Sequence, residues 1–184
     1  MPADFPGAFS ALRAILKKHG AGMVVLTDTP TDYTLQTRAT GPNKKPMWFG
    51  GVMLKKSAVT FHLIALYYNP ALERTLPPAL LARKQGKACF NFQRPDPELF
   101  AMLDALTEQV RRQWERHGFL EPGPISQERL GAALRAAGED PVALAKLRRS
   151  KGRAAAKKRA ATLRARQSGQ PQVAKRHTSR RAAQ

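Results

Sequence analysis

One cysteine, Cys89, stands in 184 residues. A single thiol excludes an intrachain disulfide and a cysteine-cluster metal site, and it suits a reducing compartment. No run of 18 apolar residues occurs, which excludes an ordinary membrane-spanning helix. The opening residues, Met1-Pro2-Ala3-Asp4-Phe5-Pro6, have neither the basic nor the apolar region of a secretory leader. The expected location is the cytoplasm.

Aromatic residues are missing after Phe119. Large rings normally help close a core, so a single core is expected within residues 1–120, a length sufficient for one domain. Acidic residues are missing after Asp140. Between Lys146 and Gln184 there are 14 lysines and arginines and no carboxylate side chain, leaving +5 of the chain's +19 for the first 145 residues. Also absent are a P-loop, a G-x-G-x-x-G turn, a nucleophile elbow and a paired-carboxylate signature. No catalytic set, metal site or cofactor is expected.

What is present reads as alternating periods. Phe9, Leu12, Ile15 and Leu16 recur at helical spacing, with Lys17, Lys18 and His19 before Gly20, and predict a helix over 7–19. Met23–Leu26, Thr31–Arg38, Met47–Leu54 and Ala58–Leu66 predict four strands of an antiparallel meander. The pair Gly50-Gly51 predicts a bulge or a close backbone approach. Two short helical pieces, 70–76 and 78–83, precede a fifth strand over 87–92, with Ala88, Phe90 and Phe92 on one side. Asp96-Pro97 is an N-cap followed by proline at N1. It opens a long helix with the stripe Phe100, Leu103, Leu106, Val110 and Trp114, ending near His117-Gly118. Glu121-Pro122-Gly123-Pro124 predicts a linker, with a hinge near Gly118 to Gly123. A helix over 125–137 and another opened by Asp140-Pro141 follow. The second can extend, on the propensities of alanine, lysine and arginine, to about Arg166. Past Ser168-Gly169 the composition is that of a disordered tail.

The fold class expected is α+β: an antiparallel sheet of about five strands packed by N- and C-terminal helices, followed by a basic helical or disordered arm. The expected divisions are an α+β domain over 1–120, a linker with short helices over 121–147, and a basic tail over 148–184. The stretches Phe49–Lys56, Val59–Leu63, Gln85–Phe92 and Pro95 with the helix after it resemble the YdhG-like domain family, small bacterial domains mostly of unknown function. The resemblance covers roughly residues 7–117. It implies a sheet with helices on one face, similar in outline to frataxin, and for one group of members an association with iron delivery. Iron is held by hard oxygen ligands, and the first helix offers Arg13, Lys17 and Lys18 where an acidic ridge would stand. The iron implication is therefore rejected.

Four residues are candidates for a small anionic ligand: His62, Tyr67, Lys84 and Lys87. With Lys55, Lys56 and Arg83 they would rim a basic groove, with Asn91 adding a polar group, if the hairpin and the short helices meet. The bland alternative is a set of solvated edge lysines that block strand addition. Cys89 reads as a small buried hydrophobe. His62 reads as a satisfied strand histidine rather than a ligand, because no second donor lies at metal-ligand spacing.

The arm is the clearest feature. Arg148, Arg149, Lys151, Arg153, Lys157, Lys158, Arg159, Arg164 and Arg166 are its candidate nucleic-acid contacts. Without aromatics it cannot stack on bases, so it should track phosphates irrespective of sequence. Its lack of bulky apolar residues speaks against a membrane partner. The composition therefore favours a binding module whose arm associates with nucleic acid non-specifically. A binder of small anions, or an enzyme using the basic groove, is the alternative. Nothing fixes an oligomeric state.

Overall fold

The structure is a computed structural model that describes residues 2–136. The helix expected from Asp140 and every arm residue lie outside the described residues.

Helix α1 (Phe5–His19) begins where the Asp4 side chain accepts the Gly7 amide at 2.9 Å, with Pro6 in its first turn. It buries Ala8, Phe9, Leu12, Ile15 and Leu16. Strands β1 (Val24–Asp28), β2 (Asp32–Thr40), β3 (Pro46–Leu54) and β4 (Val59–Leu63) follow as the expected meander. The apolar run after β4 does not continue as strand. At Ile64 the backbone turns helical, giving α2 (Ala65–Tyr68), α3 (Pro70–Arg74) and α4 (Pro78–Leu81). A two-residue strand, β5 (Lys84–Gln85), and β6 (Cys89–Phe92) form a hairpin.

Helix α5 (Pro97–Arg116) is capped by Asp96, whose carboxylate accepts the Leu99 amide at 3.1 Å. Gly118, at φ 66°, takes the left-handed conformation that ends it. The 121–124 segment expected as a linker holds β7 (Gly123–Pro124), which pairs parallel with Ala39 and Thr40 of β2. Phe119, Leu120 and Ile125 on either side of it are buried in the core. Helix α6 (Gln127–Ala136), capped by Ser126, adds Ala133 to that core. The described residues belong to a unit that runs from Met1 to Pro141.

The sheet order is β1-β2-β3-β4-β6-β5, antiparallel throughout, with β7 off this path on β2. The five expected strands are all present, and the two additional ones are two residues long. Tyr33, Val52, Phe61 and Phe90 lie in cross-strand register, and all are buried. Helices α1 and α5 pack on this inner face. Phe100 meets Phe92 edge-on at 5.0 Å, and Trp114 meets Phe49 edge-on at 5.5 Å. Full burial of one such ring is worth roughly 1.5–3 kcal/mol, so this face carries most of the core. Lys18 and His19 tie α1 to α5 through Asp104, at 2.6 and 2.7 Å.

Candidate functional site

The other face of the sheet is built from the alternate residues of the same strands. Thr34, Gly51, His62, Cys89 and Gln85 lie in one cross-strand row. Met53, Thr60 and Asn91 form the next. His62, Cys89, Met53, Thr60 and Asn91 are each partly exposed. This pleat follows from a period of two: placing Phe61, Leu63 and Phe90 inside puts His62 and Cys89 outside.

His62 is the centre of this face. Its Nδ1 lies 3.1 Å from the Cys89 Sγ. The Trp48 ring sits 4.5 Å away, centroid to centroid, and the Tyr67 ring stacks on it at 6.0 Å and 14°. The Lys87 ammonium stands 5.5 Å from the centroid of Tyr67, within cation–π range. Tyr67 comes from α2, so the turn into helix after β4 is what brings it over the histidine.

Burial lowers the His62 pKa from its ordinary value. Burial also raises the Cys89 thiol, with Lys55 and Lys84 pulling the other way. Both shifts favour the neutral forms. With both groups neutral, a single hydrogen bond joins Cys89 Sγ and His62 Nδ1, and the second ring nitrogen, Nε2, takes no part in it. That Nε2 is buried and has no hydrogen-bond partner. A neutral thiol is also a weak nucleophile. Cys89 is thus half-buried and hydrogen-bonded, not the buried hydrophobe expected from its flanking residues.

Of the four ligand candidates, the structure brings His62, Tyr67 and Lys87 together and engages Lys84 with other partners. The Lys84 Nζ bonds Glu73 Oε1 at 2.9 Å and the Gly86 carbonyl at 2.8 Å, and its side chain is 8 % exposed. Lys55 and Lys56 are exposed in the β3–β4 turn, and Arg83 is exposed before β5. Asn91 accepts from Thr60 and donates to Gln85, both at 2.8 Å. Trp48 was missed in the sequence because a bulge intervenes. The register of β2 slips between Leu35, opposite Gly50, and Gln36, opposite Trp48, which leaves Phe49 inside and Trp48 outside.

The larger cavities described lie elsewhere. One of about 260 Å³ runs along α5 beside Glu108, Gln109, Arg112 and Arg116, and one of about 230 Å³ lies between α3 and α5 at Asn69, Thr75 and Gln113. Neither is lined by His62, Tyr67, Lys84 or Lys87. Among the described residues, no three His, Cys, Asp or Glu side chains gather as a metal site, and no helix is long and apolar enough to cross a membrane.

Compared with known proteins, the chain matches no family model, no curated protein and no solved structure. The chemistry of its surfaces is therefore the guide to function.

Proposed function

We propose that this chain is a non-enzymatic binding module, an α+β domain whose basic C-terminal arm associates with nucleic acid through phosphates. The observation that carries the reading is the run of 14 cations without one carboxylate side chain from Lys146 onward. Such a run requires counterions, and nucleic acid is the abundant polyanion that supplies them at matching density. The folded domain adds support, because several of its carboxylates are already engaged. Asp28 pairs with Arg13 and Lys17, Asp104 with Lys18 and His19, and Glu73 with Lys84. Asp4 and Asp96 cap helices. The kinship with YdhG-like domains belongs to the same proposal and is supported by the sequence stretches that carry the resemblance. The rival reading, a small anion enclosed in a groove, lacks support from the larger cavities, which lie along the helices.

The test compares the full chain with a full-length variant in which Arg148, Arg149, Lys151, Arg153, Lys157, Lys158, Arg159, Arg164 and Arg166 are glutamine. Binding to random duplex DNA is followed across a salt series. Each phosphate released from contact removes about 0.9 from the slope of log affinity against log salt. The variant should bind more weakly and with a much shallower slope. Equal affinity and slope for the two proteins at every salt would sink the proposal.

A further inference from the structure

We propose that the outer face of the sheet is a stacking platform for the unpaired bases of single-stranded nucleic acid. It would supply the contact that the arm, having no aromatic residue, cannot make. The proposal rests on the reading of the chain as a nucleic-acid binder and names the kind of strand it prefers.

Three rings from three elements adjoin on this face: Trp48 of β3 lies at 49° to His62 of β4, and Tyr67 of α2 stacks on His62 at 14°. Gly51 makes room for Trp48. A Cβ at that position would come within 3.1 Å of the Trp48 ring and 3.2 Å of the Thr34 hydroxyl. The glycine leaves room for the indole over its own strand. The contrast with the second tryptophan is informative. Trp114 is buried against Phe49 and Phe119, whereas Trp48 is partly exposed and Tyr67 is 38 % exposed. Partly exposed rings beside a cation are the kind of surface on which unpaired bases stack.

The rim and the polar groups fit the same ligand. Lys87 stands over the Tyr67 ring and Lys55 lies close enough to Cys89 to act on its thiol; both are exposed. Asp32, the carboxylate of this face, accepts a hydrogen bond from the Thr34 hydroxyl at 2.8 Å. The charge therefore complements a phosphate backbone. The Thr60–Asn91–Gln85 chain of side-chain hydrogen bonds offers further polar groups in the neighbouring row. A duplex cannot use the rings, because its bases are already stacked within it. Single strands therefore gain from the platform and duplexes do not.

The experiment uses the full chain with three probes: an oligothymidylate and an oligouridylate of about 20 nucleotides, and a duplex of equal length, a size that spans an ordinary single-strand site. Affinity is read by anisotropy, and ring contact by tryptophan emission. The single strands should quench the emission and the duplex should not. Heparin, a polyanion without bases, should bind without quenching. Trp48→Phe should abolish the quenching while keeping most of the affinity. Trp48→Ala should weaken single-strand binding about tenfold or more and leave duplex binding unchanged. If single strands leave the emission unchanged and Trp48→Ala binds them as the parent does, the platform is wrong while the arm reading stands. If the arm variant binds duplex as tightly as the parent, the arm reading is wrong, and quenching still decides the platform.

Discussion

At Gly50 the backbones of β3 and β4 come so close that a Cβ would lie 2.7 Å from the His62 carbonyl oxygen and 3.4 Å from the Leu16 side chain. The contact on the strand side is backbone, which cannot rotate away. Gly50→Ala should therefore destabilise the domain by about 1–3 kcal/mol, seen as a lower urea midpoint. An unchanged midpoint would mean that the strands can part at no cost. The Gly50-Gly51 pair was legible in the sequence as a bulge or a close approach, and both occur. The His62–Cys89 contact was not. It needs β6 to pair with β4 across three intervening short helices and β5, and no local pattern encodes that pairing.

The long helices were legible because each combines an apolar stripe with a cap. For α5, Asp96, Pro97 and the stripe from Phe100 to Trp114 all point to the same segment, and the helix runs as read to Arg116. The cap also yields a prediction. Asp96→Ala removes the acceptor for the Leu99 amide and should cost about 1 kcal/mol, measured by urea unfolding. Asp96→Asn should recover most of it, and equal losses for the two variants would assign the effect to charge instead. Elements without such redundancy were harder to read. The apolar run Ala58–Leu66 contains both β4 and the start of α2, and a continuous apolar run fits either structure. Strands β5 and β7 are two residues each, too short for any period to show.

Over the whole molecule, stability should depend on pH through two histidines. Burial lowers His62, and burial with Arg116 and Arg129 lowers His117. A histidine whose folded pKa lies below the ordinary value, about 6.5, takes up its proton more readily when unfolded. Stability is then highest above about 6.5 and falls as the pH drops through that value, until the folded form is protonated as well. Asp104 behaves differently. Burial alone would raise its carboxyl, but the hydrogen bonds from Lys18 and His19 outweigh that and lower it. Its contribution persists through this window and is lost only as the pH falls through the carboxylate range. The unfolding midpoint should therefore be lower at pH 5.5 than at pH 7.5, and Phe in place of His62 should shrink the difference. A midpoint that stays flat between the two would contradict the burial of both rings. At this scale the sequence revealed the division of charge but not which face of the sheet would carry the rings. That depends on a bulge at Phe49 and on the turn after Leu63.

The pairing of Gly123 and Pro124 with Ala39 and Thr40 also sets an order of events in synthesis. The chain is made from its N-terminus, so β2 must wait at this end while β3, β4, β6 and all of α5 are produced. Contacts so distant in sequence form slowly, and Ile125 cannot enter the core before it is made. This seam is thus closed by the residues that follow α5, and until they are made the nascent fold is open where β2 ends.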